Sequence, residues 1–208
     1  MRRFIAQSYA NYRYARAGGW VKTEDDPLDP EPLAAMRETY DAMSHLDKAV
    51  TDAGGVALRY GGFYGDPDNE AERAGMIEPV RKRMFPIIGN GNGFASFVHL
   101  EDAAEATALA LDHDVTGIYN MVDDEPAPLR EWLPFLAEVL GAKPPRHYPT
   151  WLARLFAGDL AVMVGTETRG ASNAKAKLEF GWTLRYSSWR QGFVAAYGSW
   201  AKTVARCQ

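Results

Sequence analysis

A tyrosine hydroxyl ionises near pH 10 when nothing perturbs it, and a lysine one helical turn away lowers that value enough for acid–base work. None of the ten tyrosines here has a lysine four residues on: Tyr40 is followed at that spacing by Ser44, and Tyr12 by Arg16. Lys48 lies on the helical face of Tyr40, but two turns away. On its residues alone, Tyr40 reads first as a core-facing aromatic and only second as a proton carrier.

Other chemistries find less. His45, His99, His113 and His147 stand far apart, with no pair at ligand spacing and no cysteine beside them, so no metal site is expected. No G-x-S-x-G elbow is present for a serine nucleophile. Cys207, the single cysteine, cannot form an internal disulfide and has no preorganised base at its tail position. The glycine run Gly89-Asn90-Gly91-Asn92-Gly93 falls between two strand candidates, where a hairpin-like turn is expected and no helix N-terminus is available to a phosphate.

The elements that must position these residues follow from periodicity. Arg3 to Ser8 reads as a short buried strand, followed by a loop with Gly18-Gly19 and an acidic, proline-rich stretch from Thr23 to Pro32. From Leu33 to Ala53 the pattern is helical, with Met36, Tyr40, Met43 and Leu46 as one apolar stripe. Gly54-Gly55 ends it, and Val56 to Tyr60 is a strand. Strand, helix and strand in succession predict an α/β parallel sheet with crossover helices. Beyond it come a helix near Glu70 to Lys82, strands at Met84–Ile88 and Phe97–Leu100, an alanine-rich helix from Glu101 to Leu111 and a strand from Gly117 to Val122. Helices follow from Leu129 to Leu140, from Pro149 towards Val164, and from Ser172 to Phe180. A final helix from about Ser188 carries Trp189, Phe193, Tyr197 and Trp200 on one face.

The 208 residues suit one sizeable domain or a domain with a small lobe. A net charge of −4 and scattered cations, with Arg81-Lys82-Arg83 as the densest group, give no expectation of a nucleic-acid partner. No stretch approaches the roughly 18 apolar residues of a membrane span, and the N-terminus lacks the apolar core of a secretory signal. No membrane partner is expected, and the expected compartment is the cytoplasm.

Four segments together resemble the extended short-chain dehydrogenase/reductase family, the NAD-dependent epimerase/dehydratases. Leu58-Arg59-Tyr60-Gly61-Gly62-Phe63-Tyr64-Gly65 is similar to that family's strand and loop before its substrate site. Gly89-Asn90-Gly91 through Phe97-Val98-His99-Leu100-Glu101-Asp102-Ala103-Ala104 resembles its next conserved stretch. Gly117-Ile118-Tyr119-Asn120 and Ser172-Asn173-Ala174-Lys175-Ala176-Lys177, with Leu178 and Gly181-Trp182, agree with two later ones.

The resemblance implies the C-terminal part of a Rossmann-like parallel sheet with a small, mostly helical substrate-binding lobe. It divides the chain into a partial NAD(P)-binding part at 1–60 and the end of the sheet plus substrate lobe at 61–208. Arg3 to Ser8 corresponds to about the fifth family strand, so the first four strands and the phosphate-binding G-x-x-G-x-x-G are expected to be missing. A truncated chain of this kind is expected to have little activity alone, and its open edge needs covering, a homodimer being one way.

The resemblance assigns proton handling to Tyr40 and Ser8, with the family's lysine missing. It assigns Tyr60 and Gly61 to the cofactor side, the cofactor being NAD or NADP. Gly62, Phe63, Tyr64 and Ala95 fall on the side of a small-molecule substrate. Gly62 stands where sugar-nucleotide enzymes have Asn, and Ala95 where they have a phosphate-binding Arg, which disfavours a UDP- or dTDP-sugar. His99 and Asn173 are expected to be structural, Asn173 as a helix cap. The expected function is an NAD(P)-dependent oxidoreductase or epimerase/dehydratase-like role. The alternative is a non-catalytic dinucleotide-sensing or protein-interaction member of the same fold.

Overall fold

The computed structural model describes residues 4–206, with side chains described to residue 201. Arg3, the expected start of the first strand, and Cys207 lie outside these residues. In chain order the first half contains β1 (Ile5–Tyr9), β2 (Val21–Lys22), a 3-10 turn (Ala34–Met36), α1 (Arg37–Asp52), β3 (Val56–Tyr60) and β4 (Gly62–Tyr64). There follow α2 (Glu70–Glu72), a π-helical turn (Arg73–Ile77), α3 (Glu78–Arg81), β5 (Ile87–Ile88), β6 (Phe94–Ala95), β7 (Phe97–His99) and α4 (Leu100–Asp112). The remainder is β8 (Gly117–Met121), β9 (Ala127–Pro128), α5 (Leu129–Val139), β10 (His147–Tyr148), α6 (Thr150–Thr166), β11 (Gly170–Ala171), α7 (Ala174–Phe180) and α8 (Trp189–Arg206).

The central sheet is parallel, in the order β1-β3-β8, with Ser8 opposite Arg59 and Tyr60 opposite Met121. Every residue of β3, VALRY, is buried, as a parallel strand covered on both faces requires. Helix α1 crosses from β1 to β3 on one face, and α4 packs on the other. The outer edge of β1 has no strand partner among the described residues. The expectation of an α/β, Rossmann-like sheet with an attached helical part holds.

The helical part is built on aromatics. Trp189, Phe193 and Tyr197, one turn apart on α8, are fully buried and meet Tyr64, Phe97, Leu133 and Leu136. Each such side chain contributes about 1.5–3 kcal/mol by leaving water. The helix lies so close that a Cβ at Gly192 would fall 1.9 Å from the Tyr64 hydroxyl oxygen, so only glycine fits there.

Several expectations need correction. The helix near Glu70 to Lys82 is α2 and α3 joined by the π turn. The strand from Met84 shrinks to Ile87–Ile88, leaving Met84 and Phe85 exposed. The glycine run is not a hairpin: β5 pairs in parallel with β10, and β6 antiparallel with β9, so the run links two different ribbons. The apolar stripe of α1 is only half-buried, while Asp47 and Val50 are its buried residues. Helix α6 breaks at Gly158, whose φ of 77° and ψ of −179° lie outside the helical region. The side chain of Asn173 does not cap α7, because it donates instead to Val122 O at 2.8 Å and to Asp124 Oδ1 at 2.7 Å.

Candidate functional site

Parallel α/β sheets leave their ligand crevice beyond the carboxyl ends of the strands. Here those ends are Tyr9, Tyr60 and Met121. The segments leaving them are bound together: Asn11 clamps the backbone of Ser96, donating to its carbonyl and accepting from its N–H, both at 2.9 Å. Gly61 N donates to Met121 O and Gly62 N to Ser96 O. A Cβ on Gly61 would sit 2.7 Å from Ser96 O, so glycine there permits the contact. Tyr12 has a φ of 65°, an uncommon conformation for a residue with a side chain, and its ring lies 5.9 Å from that of Tyr9.

Side chains alternate across a strand, so Ser8 and Arg59 share the α1 face while Tyr60 faces α4. On the α1 face, Arg13 donates through Nη1 to Ser8 Oγ at 3.0 Å and to Asp47 Oδ2 at 2.7 Å, and through Nη2 to Ser44 Oγ at 3.1 Å. Arg59 pairs with the same Asp47 oxygen, at 2.7 Å through Nη2, and donates to the Tyr14 hydroxyl at 3.3 Å. That hydroxyl donates in turn to Asn120 Oδ1. Arg13, Asp47 and Arg59 are all buried, so one carboxylate holds two cations away from water. The Arg13 guanidinium lies 5.8 Å from the centre of the Tyr40 ring. Burial nevertheless raises the Tyr40 hydroxyl above its usual value, outweighing Arg13.

Ser8 and Tyr40 are thus brought to the same cation. Ser8, with Gln7 and Tyr9, also lines a groove of about 520 Å³ whose other wall is Ala42, Met43 and Leu46 of α1. Tyr40 is not among the lining residues. The Ser8 oxygen accepts from Arg13, which leaves its own proton free to donate.

The residues expected on the cofactor and substrate sides lie elsewhere. The Tyr60 hydroxyl bonds with Thr107 Oγ1 of α4 at 2.6 Å, and its ring lies 5.2 Å from Phe63. Both line a second groove, of about 480 Å³, on the opposite face from Ser8 and also beside the β1 edge. Tyr64 is completely buried against Phe97, His99 and Phe193, and no described group bonds its hydroxyl. Burial pushes that phenol far up, and Asp123 and Asp102 push it further. Gly62 packs on the Phe97 ring, and Ala95 is half-buried in β6, paired with Ala127. His99 Nδ1 accepts from Glu101 N at 3.1 Å and so caps α4, while burial lowers its pKa.

Reasoning from sequence missed two features. The first is the Arg13–Asp47–Arg59 network, although an arginine inside the apolar strand VALRY already demands a buried partner. The second is Asp123, just past β8. It is 1% exposed and accepts from Glu125 N through Oδ1; burial outweighs the backbone N–H groups of Glu125 and Trp189 that favour its ionised form and pushes its carboxyl up to about 8.

A dinucleotide's phosphates need a glycine turn opening onto free helix N–H groups. The run at Gly89–Gly93 does meet a helix N-terminus, that of α5, contrary to expectation. However, Leu129 N and Arg130 N are spent on Gly93 O and Gly91 O. The α6 backbone at Val164 packs directly against Gly93, so the run is spent on packing as well. The described residues do not by themselves fit the pyrophosphate. No group of His, Cys, Asp and Glu suited to a metal occurs among them either.

No family model matches the chain. A curated relative, 3-diazoavenalumate denitrifying reductase from a Streptomyces species, is 38% identical over 198 residues, covering 92% of this chain and 64% of that protein. The chain is a relative of the NAD-dependent epimerase/dehydratase enzymes. Within that group, UDP-glucose 4-epimerase of Corynebacterium glutamicum is 26% identical over 203 residues, covering 88% of this chain and 58% of the epimerase. The fold agrees: a human epimerase family protein solved with NADPH superposes with a TM-score of 0.69 at 19% identity, over 97% of this chain and 65% of that one. The chain therefore spans less than two thirds of the length of the epimerase/dehydratase relatives it matches.

Proposed function

We propose that this chain carries the substrate side of an NAD(P)-dependent reductase. Residues 1–60 would belong with the dinucleotide-binding layer and 61–208 with the substrate lobe. The observation that carries the reading is the 38% identity to a denitrifying reductase along 92% of the chain, against 26% to a sugar-nucleotide epimerase. NAD(H) or NADP(H) is the cofactor, its phosphates held by polypeptide that adds to the free edge of β1. The two grooves flanking that edge, of about 520 and 480 Å³, support such an addition, because a further parallel strand brings helices on both faces.

The polar groups favour a reaction with little proton demand at oxygen. Reducing a carbonyl, or inverting a sugar carbinol through a ketone, leaves an alkoxide that must gain or lose a proton. Reductive removal of a cationic aryl diazonium group does not: hydride from NAD(P)H forms the C–H bond as the C–N bond breaks and dinitrogen leaves. Tyr40 has no lysine a turn away and a raised pKa, and Ser8 offers one hydroxyl donor held by Arg13. These residues orient a substrate oxygen through Ser8 and do not shuttle protons efficiently. The substrate class we assign is therefore a small aryl diazo acid. The absent lysine also favours a non-catalytic dinucleotide-sensing role, which the same assay separates.

The test joins this chain to the remaining third of the denitrifying reductase and follows NADH and NADPH consumption with aryl diazo acids and with UDP-glucose. Diazo-dependent consumption with release of dinitrogen is expected. Turnover of UDP-glucose alone overturns the substrate assignment, and dinucleotide binding without any turnover selects the sensing role.

A further inference from the structure

Away from the sheet, α6 opens with Thr150-Trp151-Leu152-Ala153-Arg154-Leu155-Phe156-Ala157, in which Arg154 is the only charge. Trp151 and Leu155, one turn apart, are 66% and 71% exposed, and Phe156 is 81% exposed. Leu152 and Phe156, also one turn apart, line an apolar cleft of about 320 Å³ with Met84, Pro86, Ile88 and Tyr148. Met84 and Phe85 extend the same surface into solvent. Large apolar side chains scatter singly over most protein surfaces, but a contiguous set of this size marks an interaction site.

The rim of the patch is cationic. Arg83 immediately precedes Met84, and its Nε donates to Pro144 O at 2.8 Å, which ties it to the segment carrying Lys143 and Arg146. Arg146 O accepts from Ile87 N, and its guanidinium lies 3.4 Å from the Tyr148 hydroxyl in the cleft wall. Arg83, Lys143 and Arg146 make no ion pair among the described residues, while Arg154 pairs with Asp159. In a chain of net charge −4, Arg83 beside the exposed Met84 and Arg146 at the cleft wall give the cleft a cationic border, with Lys143 in the adjoining hollow that Arg83 shares with Glu138.

From this surface we infer that the opening half of α6, with Met84 and Phe85, docks on an anionic lipid bilayer. Trp, Phe and Leu enter the headgroup boundary, and Arg83, Lys143 and Arg146 meet the acidic headgroups. The docking needs no membrane-crossing helix, and none of the described helices is long and apolar enough for one. The break at Gly158 fits this placement: it separates the exposed half of α6 from the half that carries the buried Val162 and Met163.

Co-sedimentation of the 208-residue chain with phosphatidylcholine vesicles, with and without phosphatidylserine, tests the inference. The chain should pellet only with the phosphatidylserine vesicles, and added salt should release it. Lys143→Gln and Arg146→Gln should each weaken partition roughly fivefold. Leu155→Asp with Phe156→Asp should abolish it while leaving the thermal midpoint unchanged, since both side chains already stand in water. Failure to pellet with either vesicle overturns the inference, as does equal binding to neutral vesicles. A concentration-dependent dimer that the Asp variants dissociate, without vesicle binding, assigns the face to a second copy of the chain instead.

Discussion

Arg13 Nη1 donates to Ser8 Oγ across 3.0 Å, so the serine that lines the groove is held as an acceptor and keeps its own proton to give. A hydroxyl fixed this way is preorganised to donate to a substrate oxygen. Ser8→Ala, in this chain joined to the remaining third of the denitrifying reductase, should lower kcat/KM about tenfold, the worth of one positioning hydrogen bond. The urea midpoint should barely move, because Arg13 keeps Asp47 and Ser44. An unchanged kcat/KM removes Ser8 from the site.

Asp47 is the only described carboxylate paired with Arg13 and Arg59, and all three are buried. Breaking a buried pair leaves a charge without compensation, at a cost of about 3–5 kcal/mol. Asp47→Ala should therefore lose most of the chain's stability in urea unfolding. A loss below about 1 kcal/mol would mean that water reaches the two guanidinium groups.

Asp123 titrates near 8 in the fold, whereas an aspartate in an unfolded chain titrates near 4. Between those values the folded state binds the extra proton, so this group makes stability fall as pH rises from about 4 to about 8, and level off above. Asparagine keeps the Oδ1 that accepts from Glu125 N and has no proton to lose. Asp123→Asn should raise the thermal midpoint by several degrees at about pH 8 and by little at about pH 5. A gain equal at both pH values contradicts the shifted titration.

Gly192 faces the Tyr64 hydroxyl so closely that a methyl group would overlap it. Alanine ordinarily helps a helix by up to about 1 kcal/mol over glycine. Here Gly192→Ala should instead destabilise by about 1–3 kcal/mol, since Tyr64 is wedged among Phe97, His99 and Phe193. Pairing it with Tyr64→Phe should recover part of the loss, and thermal unfolding of the three variants checks this.

The central sheet and α8 were legible because their signals are local. VALRY is a continuous apolar run, and Trp189, Phe193 and Tyr197 repeat at one helical turn. The two-residue strands are not legible, because pairs such as Ile87 with His147 or Val21 with Gly170 depend on partners distant in sequence. Tyr64 shows the limit at the site. Its place in the motif suggested a substrate contact, but the glycine that admits it to the core lies on α8, far along the chain. Resemblance points to Ser8 and Tyr40, while the Arg13 that joins them carries no motif and follows only from what a buried Asp47 must hold.

As proposed above, the described residues are the substrate side of a dinucleotide-dependent enzyme and do not hold a dinucleotide unaided. Calorimetric titration of NADH and NADPH, into the 208-residue chain and into the same chain preceded by the remaining third of the denitrifying reductase, tests it most directly. Heat of binding is expected only for the longer protein. Tight binding by the 208 residues alone, or none by either, contradicts it.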